Sequence, residues 1–125
     1  MNQIYTAGYA GKSLEWLKKT AADLDAAVFD IRYSPRPRDP DFGRNNLALE
    51  LRDKYLLLVG FAPRYPHDAP AQVQNYEHGR ARIINQLNYT SVILLCECAD
   101  PDVCHRTIVA NMLIDDGYTV TELCE

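Results

Sequence analysis

Apolar residues fall along this chain in two alternating rhythms: short near-continuous runs, and longer segments in which they recur every three or four positions. The first rhythm is that of strands and the second that of helices. Gln3 to Ala7 predicts a first strand, broken by Gly8 and Gly11. Ser13 then predicts the N-cap of a helix reaching Leu24, with Leu14, Leu17, Ala21 and Leu24 on one face. Ala26 to Ile31 is apolar enough to be a strand buried on both faces, and its end carries Asp30 and Arg32.

From Tyr33 to Asn46 the pattern becomes prolines alternating with arginines: Pro35, Pro37 and Pro40 with Arg36, Arg38 and Arg44. Each proline fixes φ and removes a donor, so this segment predicts a long exposed loop of the kind that often carries function. A helix from Asn46 to Lys54, a strand from Tyr55 to Val59, and a second proline-containing loop from Phe61 to Pro70 follow. Ala71 to Leu87 predicts a helix weakened by Gly79, and Ser91 to Leu95 predicts the clearest strand of all. The next helix begins either at Asp100 and Pro101 or near Cys104 and stops at Gly117, before a last strand from Tyr118 to Leu123. Strands alternating with helices predict an α/β fold: one three-layer domain over residues 1–125, with a mainly parallel sheet of about five strands flanked by helices.

Composition narrows the picture. With 125 residues, 47% of them hydrophobic, the chain suits one ordinary core. A formal net charge of −4 argues against a general polyanion binder, although local charge can differ from the average. No apolar run is long enough to cross a bilayer, and Met1-Asn2-Gln3 lacks the basic-then-apolar layout of a signal peptide. A cytoplasmic location without a membrane partner is therefore expected. There Cys96, Cys98, Cys104 and Cys124 should be reduced.

The chemistry concentrates between Cys96 and Arg106, where three thiols, three carboxylates, an imidazole and a guanidinium follow a strand and lead into a helix. Open α/β sheets place ligand sites at such turns. Cys104, with His105 and Arg106 beside it near a helix N-terminus, is the first candidate nucleophile, because that setting stabilises a thiolate. The competing reading is a small buried hydrophobe. Cys96 either floors a cleft or faces the core. Glu97 either works as an acid or base or pairs with Arg32 or Arg106, since an unpaired carboxylate is costly to bury. Alternation puts Asp30 and Arg32 on one side of a strand end, where Arg32 suits a carboxylate or phosphate and Asp30 would orient it, unless the two simply form a local ion pair. Arg36, Arg38 and Arg44 add to the case for an anionic ligand. The spacing Cys-x-Cys followed by Cys-His departs from the common zinc pattern, so neither metal nor cofactor is assigned.

Tyr5-Thr6-Ala7-Gly8-Tyr9 with Ser13-Leu14, Phe29 to Arg36, Phe42, and Leu94-Leu95-Cys96-Glu97 with Cys104-His105-Arg106 together resemble the domain-of-unknown-function family 488, nearly end to end. That resemblance implies no established activity. A looser fold-level analogy is to rhodanese-like sulfurtransferases, which would put Cys96 in the nucleophile's place; the glycine-free stretch from Cys96 to Arg106 is longer than their anion-cradling loop. Two functions are expected from different classes. The first is a small enzyme, a thiol- or carboxylate-dependent hydrolase or transferase, acting on an anionic, phosphate-bearing substrate of the nucleotide or nucleic-acid kind. In it Arg32, Arg106, Arg36 and Asp30 would hold the anion while Cys104, Cys96, Glu97 and His105 carry the chemistry, all in one cleft at the carboxyl ends of the strands. The alternative is a non-catalytic module that binds nucleic acid or protein through residues 33–46. Oligomeric state is not legible.

Overall fold

The two most continuous apolar runs form the middle of a parallel sheet in the computed structural model, which describes residues 2–32, 39–61, 73–97 and 105–123. β2 (Ala26–Asp30) and β4 (Ser91–Cys96) are buried along their whole lengths. Strands covered on both faces have no wet side, which is why neither shows polar alternation. With β1 (Ile4–Gly8), β3 (Tyr55–Leu57) and β5 (Val120–Glu122) they make a five-stranded sheet of order β3-β2-β4-β1-β5, parallel throughout. Helices α1 (Leu14–Leu24), α2 (Arg44–Leu51), α3 (Tyr76–Leu87) and α4 (His105–Asp115) flank it. The fold is α/β, as the alternation of strand and helix signals predicts.

Strand parity sorts the core into two layers. Ala7, Ala26, Val28, Ile93 and Leu95 pack against Leu14, Leu17 and Ala21 of α1 and Leu47 of α2. Their neighbours Ile4, Ala27, Phe29, Val92, Leu94 and Cys96 point the other way, against Ile83 of α3 and Val109 and Leu113 of α4. The chain therefore leaves β1 and β2 toward one face and β3 and β4 toward the other. Because β1 and β4 are neighbours whose following helices lie on opposite faces, a crevice opens between their carboxyl ends.

Local chemistry sets most boundaries. Ser13 Oγ accepts from Trp16 N at 3.0 Å and starts α1, and Asp25, at φ 49°, ends it in a left-handed turn. Asp39 caps a 3₁₀ turn, Pro40–Phe42, inside the segment expected to be an open loop, and α2 then starts at Arg44 rather than Asn46. The reason is Phe42: it has no solvent exposure, so the loop folds back to bury it. Another 3₁₀ turn, Val59–Phe61, replaces the end of the expected third strand. Asn75 Oδ1 accepts from His78 N at 3.2 Å, which starts α3 at Tyr76 rather than Ala71.

Gly79 looks in the sequence like a weak point of α3 and is instead a packing site. A Cβ there would run into the fully buried ring of Phe61, and a Cβ on Gly60 would come within 2.7 Å of the Asn75 carbonyl oxygen and 2.9 Å of Gly79 N. Two glycines in register thus let α3 settle onto the turn after β3. Gly79→Ala should lower stability by about 1–2 kcal/mol in urea unfolding, because overpacking costs more than the helix propensity it gains. Gly60→Ala, with no such gain, should lose at least as much.

Candidate functional site

Asp30 is the last residue of β2 and has no solvent exposure, while Arg32, two residues on, is 6% exposed. Both lie on the α1/α2 side, and Ile31 between them joins the opposite layer. Arg32 Nε donates to Asp30 Oδ1 at 2.8 Å and Arg32 Nη2 to Asp30 Oδ2 at 2.5 Å, a bidentate pair. The Arg32 backbone N–H and the Tyr55 hydroxyl fill the remaining carboxylate positions at 3.0 and 2.7 Å. Arg32 Nη1 donates to the Tyr9 hydroxyl at 3.0 Å and the Phe42 carbonyl at 2.8 Å. Four of the five guanidinium N–H groups are thereby engaged, so the bidentate face that the sequence offers to an external anion is turned on Asp30. Tyr9 stacks on Phe42 with ring centroids 4.2 Å apart, and the Arg32 guanidinium lies 5.3 Å from the Tyr9 ring centre.

Electrostatics follow from this packing. Burial works against the charge on Arg32, but the hydrogen bonds and negative charge of Asp30, with Tyr9 adding to them, outweigh it and hold the guanidinium above its ordinary range. Burial raises the Tyr9 phenol; Arg32 pulls it back, and the charges of Glu97 and Asp30 push it up. Burial and then the Asp30 carboxylate raise Tyr55 well above the usual phenol range.

Arg106 has a different partner on the other side of the sheet. Its Nε and Nη2 each donate to the Glu122 carboxylate at 3.0 Å, and Thr6 Oγ1 donates to Glu122 Oε1 at 2.6 Å. This fork fastens α4 to β1 and the edge strand β5. Asp30–Arg32 and Arg106 are thus not brought into one cleft, because α4 packs on the face opposite to the one Asp30 points toward. Cys96 is 4% exposed and packs in the apolar layer beneath α3 and α4. His105 is the first residue of α4. Cys104, Arg36, Arg38, Cys98, Cys124 and His67 lie outside the described residues.

Glu97 is the exposed residue directly after β4. Its carbonyl accepts from Ala10 N at 2.8 Å, and that of Cys96 accepts from Tyr9 N at 3.0 Å, so the turn after β1 is stitched to the end of β4. Tyr9, Ala10, Gly11, Lys12, Asp39 and Glu97 line a cavity of about 480 Å³ there. Lys12 Nζ donates to the Gly8 carbonyl at 2.7 Å and lies 5.2 Å from the Trp16 ring centre, which fixes the ammonium at the cavity wall. Among the described residues Glu97 makes no ion pair, and no three His, Cys, Asp or Glu residues group as metal ligands. Lys12 and Tyr9 are the residues that sequence reasoning missed as site candidates. Their signal was the glycine-flanked turn after the first strand, which reads as punctuation until β4 is placed beside it.

Removing one partner from a buried pair leaves an uncompensated charge. Asp30→Ala should therefore cost about 3–5 kcal/mol in urea unfolding, and Tyr55→Phe about 1 kcal/mol. Glu122→Gln, at a side chain that is 32% exposed, should cost about 1 kcal/mol. The phenols give a pH dependence of definite sign. Folded Tyr9 and Tyr55 hold their protons more tightly than the unfolded chain does, so their contribution is full below about pH 10 and is lost as pH rises toward their folded values. Ultraviolet titration should show late-ionising phenols that disappear one by one in Tyr9→Phe and Tyr55→Phe. The urea midpoint should fall above about pH 10, less steeply in Tyr55→Phe.

No curated protein and no solved structure matches the chain. The model of one family, described as Domain of unknown function DUF488, matches residues 14–113. That span runs from the start of α1 into the end of α4 and takes in Asp30, Arg32, Glu97 and Arg106. Covering most of the chain, it establishes that the protein belongs to the DUF488 family of domains of unknown function.

Proposed function

We propose that the protein is a small cytoplasmic enzyme that binds an anionic, phosphate-bearing substrate in the crevice between the carboxyl ends of β1 and β4. The observation that carries this reading is the crevice itself, a concave site at a switch point of a parallel sheet with a fixed ammonium and an exposed carboxylate on its walls. Lys12 supplies positive charge for the anion. Glu97 offers an acceptor without an ion-pair partner among the described residues, suited to take a proton from an attacking hydroxyl or water. Cys104 and His105, which follow in sequence, are the nucleophile and proton carrier of this proposal, with Arg36 as a further anion contact; the reaction is then a hydrolysis or group transfer. Cys96, packed in the core, has a supporting role. Asp30 and Arg32 hold Tyr9 and Phe42 under the crevice, and Arg106 holds the start of α4 from the other face. A nucleotide or nucleic-acid component fits the site's mixture of cation and carboxylates, because its hydroxyls can meet Glu97 and Asp39 while its phosphate meets Lys12.

Calorimetric titration with inorganic phosphate and mononucleotides tests the proposal. Lys12→Ala should weaken binding about tenfold, the value of one charge-assisted contact. Glu97→Gln should abolish turnover yet tighten anion binding, since it removes a like charge. Arg38→Ala should trim affinity only modestly. Equal losses across Arg36, Arg38 and Lys12 variants would favour the alternative, a binding module that uses residues 33–46. Absence of binding by every anion would overturn the anion site.

A further inference from the structure

One proton in the buried network is unaccounted for. The Tyr9 hydroxyl accepts a hydrogen bond from Arg32 Nη1 at 3.0 Å, and among the described residues its own O–H meets no acceptor. Tyr9 is 3% exposed, so that O–H is not simply turned to bulk water. Burying an unmatched hydroxyl proton is unfavourable, and native phenols that are buried normally find a partner. A phenol that accepts from a guanidinium must also aim its own proton away from it, because the two hydrogens would otherwise repel each other at close range. Arg32 therefore fixes the sense of the bond. Its other donors to Asp30 and Phe42 keep it from rotating to release the phenol.

Tyr9 lines the crevice together with Lys12 and Glu97, and the Glu97 charge acts on the phenol. We propose that Tyr9 is a ligand-binding residue whose hydroxyl, oriented by Arg32, donates to an oxygen of the bound anion beside Lys12. The proposal rests on the reading of the crevice as an anion site and names the neutral donor that completes it. A phenol is protonated at neutral pH, as a donor requires, and burial moves it further from ionisation. Asp30 and Arg32 are then positioning residues: they touch no ligand and set the direction of one that does. A negatively charged oxygen is favoured beside Lys12 and Tyr9, which are donors, while the Glu97 and Asp39 carboxylates on the same walls suit the ligand's own hydroxyl donors.

Tyr9→Phe removes the hydroxyl and keeps the ring that stacks on Phe42. Calorimetry with inorganic phosphate and a mononucleotide should show binding weakened about tenfold, the loss expected for one hydrogen bond to a charged group. Tyr55→Phe is the control: it removes a hydroxyl from the same network at a residue that does not line the crevice, and it should leave affinity nearly unchanged. A second readout needs no variant. In wild-type protein with ¹³Cζ-labelled tyrosine, the Tyr9 resonance should shift on adding phosphate with the half-saturation seen by calorimetry, while that of exposed Tyr89 should not move. If the wild-type protein binds phosphate and Tyr9→Phe binds equally well, or the Tyr9 resonance stays still, Tyr9 is a structural partner of Arg32 alone and the proposal fails. Equal weakening in Tyr55→Phe would also overturn it, since loosening of the network would then account for the loss. If the wild-type protein binds neither probe, the anion site itself is refuted and this proposal with it.

Discussion

A carboxylate with no solvent exposure at the end of a buried strand persists only if its charge and its lone pairs are matched, and at Asp30 four separate donors do this. The partners come from different places: Arg32 from just beyond β2 and Tyr55 from the start of β3. Through Arg32 the network extends to Tyr9 in the turn after β1 and to Phe42 in the 3₁₀ turn before α2. One ionic group thereby fixes how four neighbouring segments meet at the carboxyl edge of the sheet. A buried pair of this kind adds little net stability over a well-packed apolar substitute, so its value lies in specifying a single arrangement of the segments it joins.

The second ion pair shows how strand parity divides labour. Arg106 and Glu122 sit on the opposite face, and their fork holds α4 and the three-residue edge strand β5 against β1. Read in one dimension, Asp30-Ile31-Arg32 and Cys104-His105-Arg106 look like two halves of one site, because both follow strands whose ends share an edge. A sheet has two faces, however, and the helix after β4 lies on the one that Asp30 turns away from. The two arginines consequently act as fasteners on either side of the sheet, with the crevice between β1 and β4 lying between them.

That crevice makes the relation between buried network and exposed site a directional one. Lys12 and Glu97 reach it from the ends of adjacent strands, and Tyr9, which also lines it, accepts a hydrogen bond from Arg32. Preorganisation of this type is useful to a binding site because hydroxyl and ammonium groups are aimed before a ligand arrives, and less rotational freedom is lost on binding. On the proposed reading, the same coupling lets substitutions at Asp30 alter binding through Arg32 and Tyr9 without Asp30 touching the ligand.

Much of the fold was legible in the chain because apolar periodicity is a local property. The unbroken runs at Ala26 and Ser91 announced doubly covered strands, Ser13 announced the start of α1, and the alternation of rhythms announced an α/β sheet. Alternation also predicted that Asp30 and Arg32 share a side. Other features depended on contacts between residues distant in sequence, which no local pattern encodes. The burial of Phe42 turned part of a proline-rich loop into a 3₁₀ turn, and the meeting of Gly60, Phe61 and Gly79 made a helix-weakening residue into a packing site. Only the strand order placed Glu97 beside Lys12 and Tyr9, and only the choice of helix face parted Arg106 from Arg32. The sequence by itself determined which segments are strands and helices and which residues bear charge. The tertiary structure decided which of those charges face one another, because that depends on strand order and face, quantities set by the packing of the whole chain.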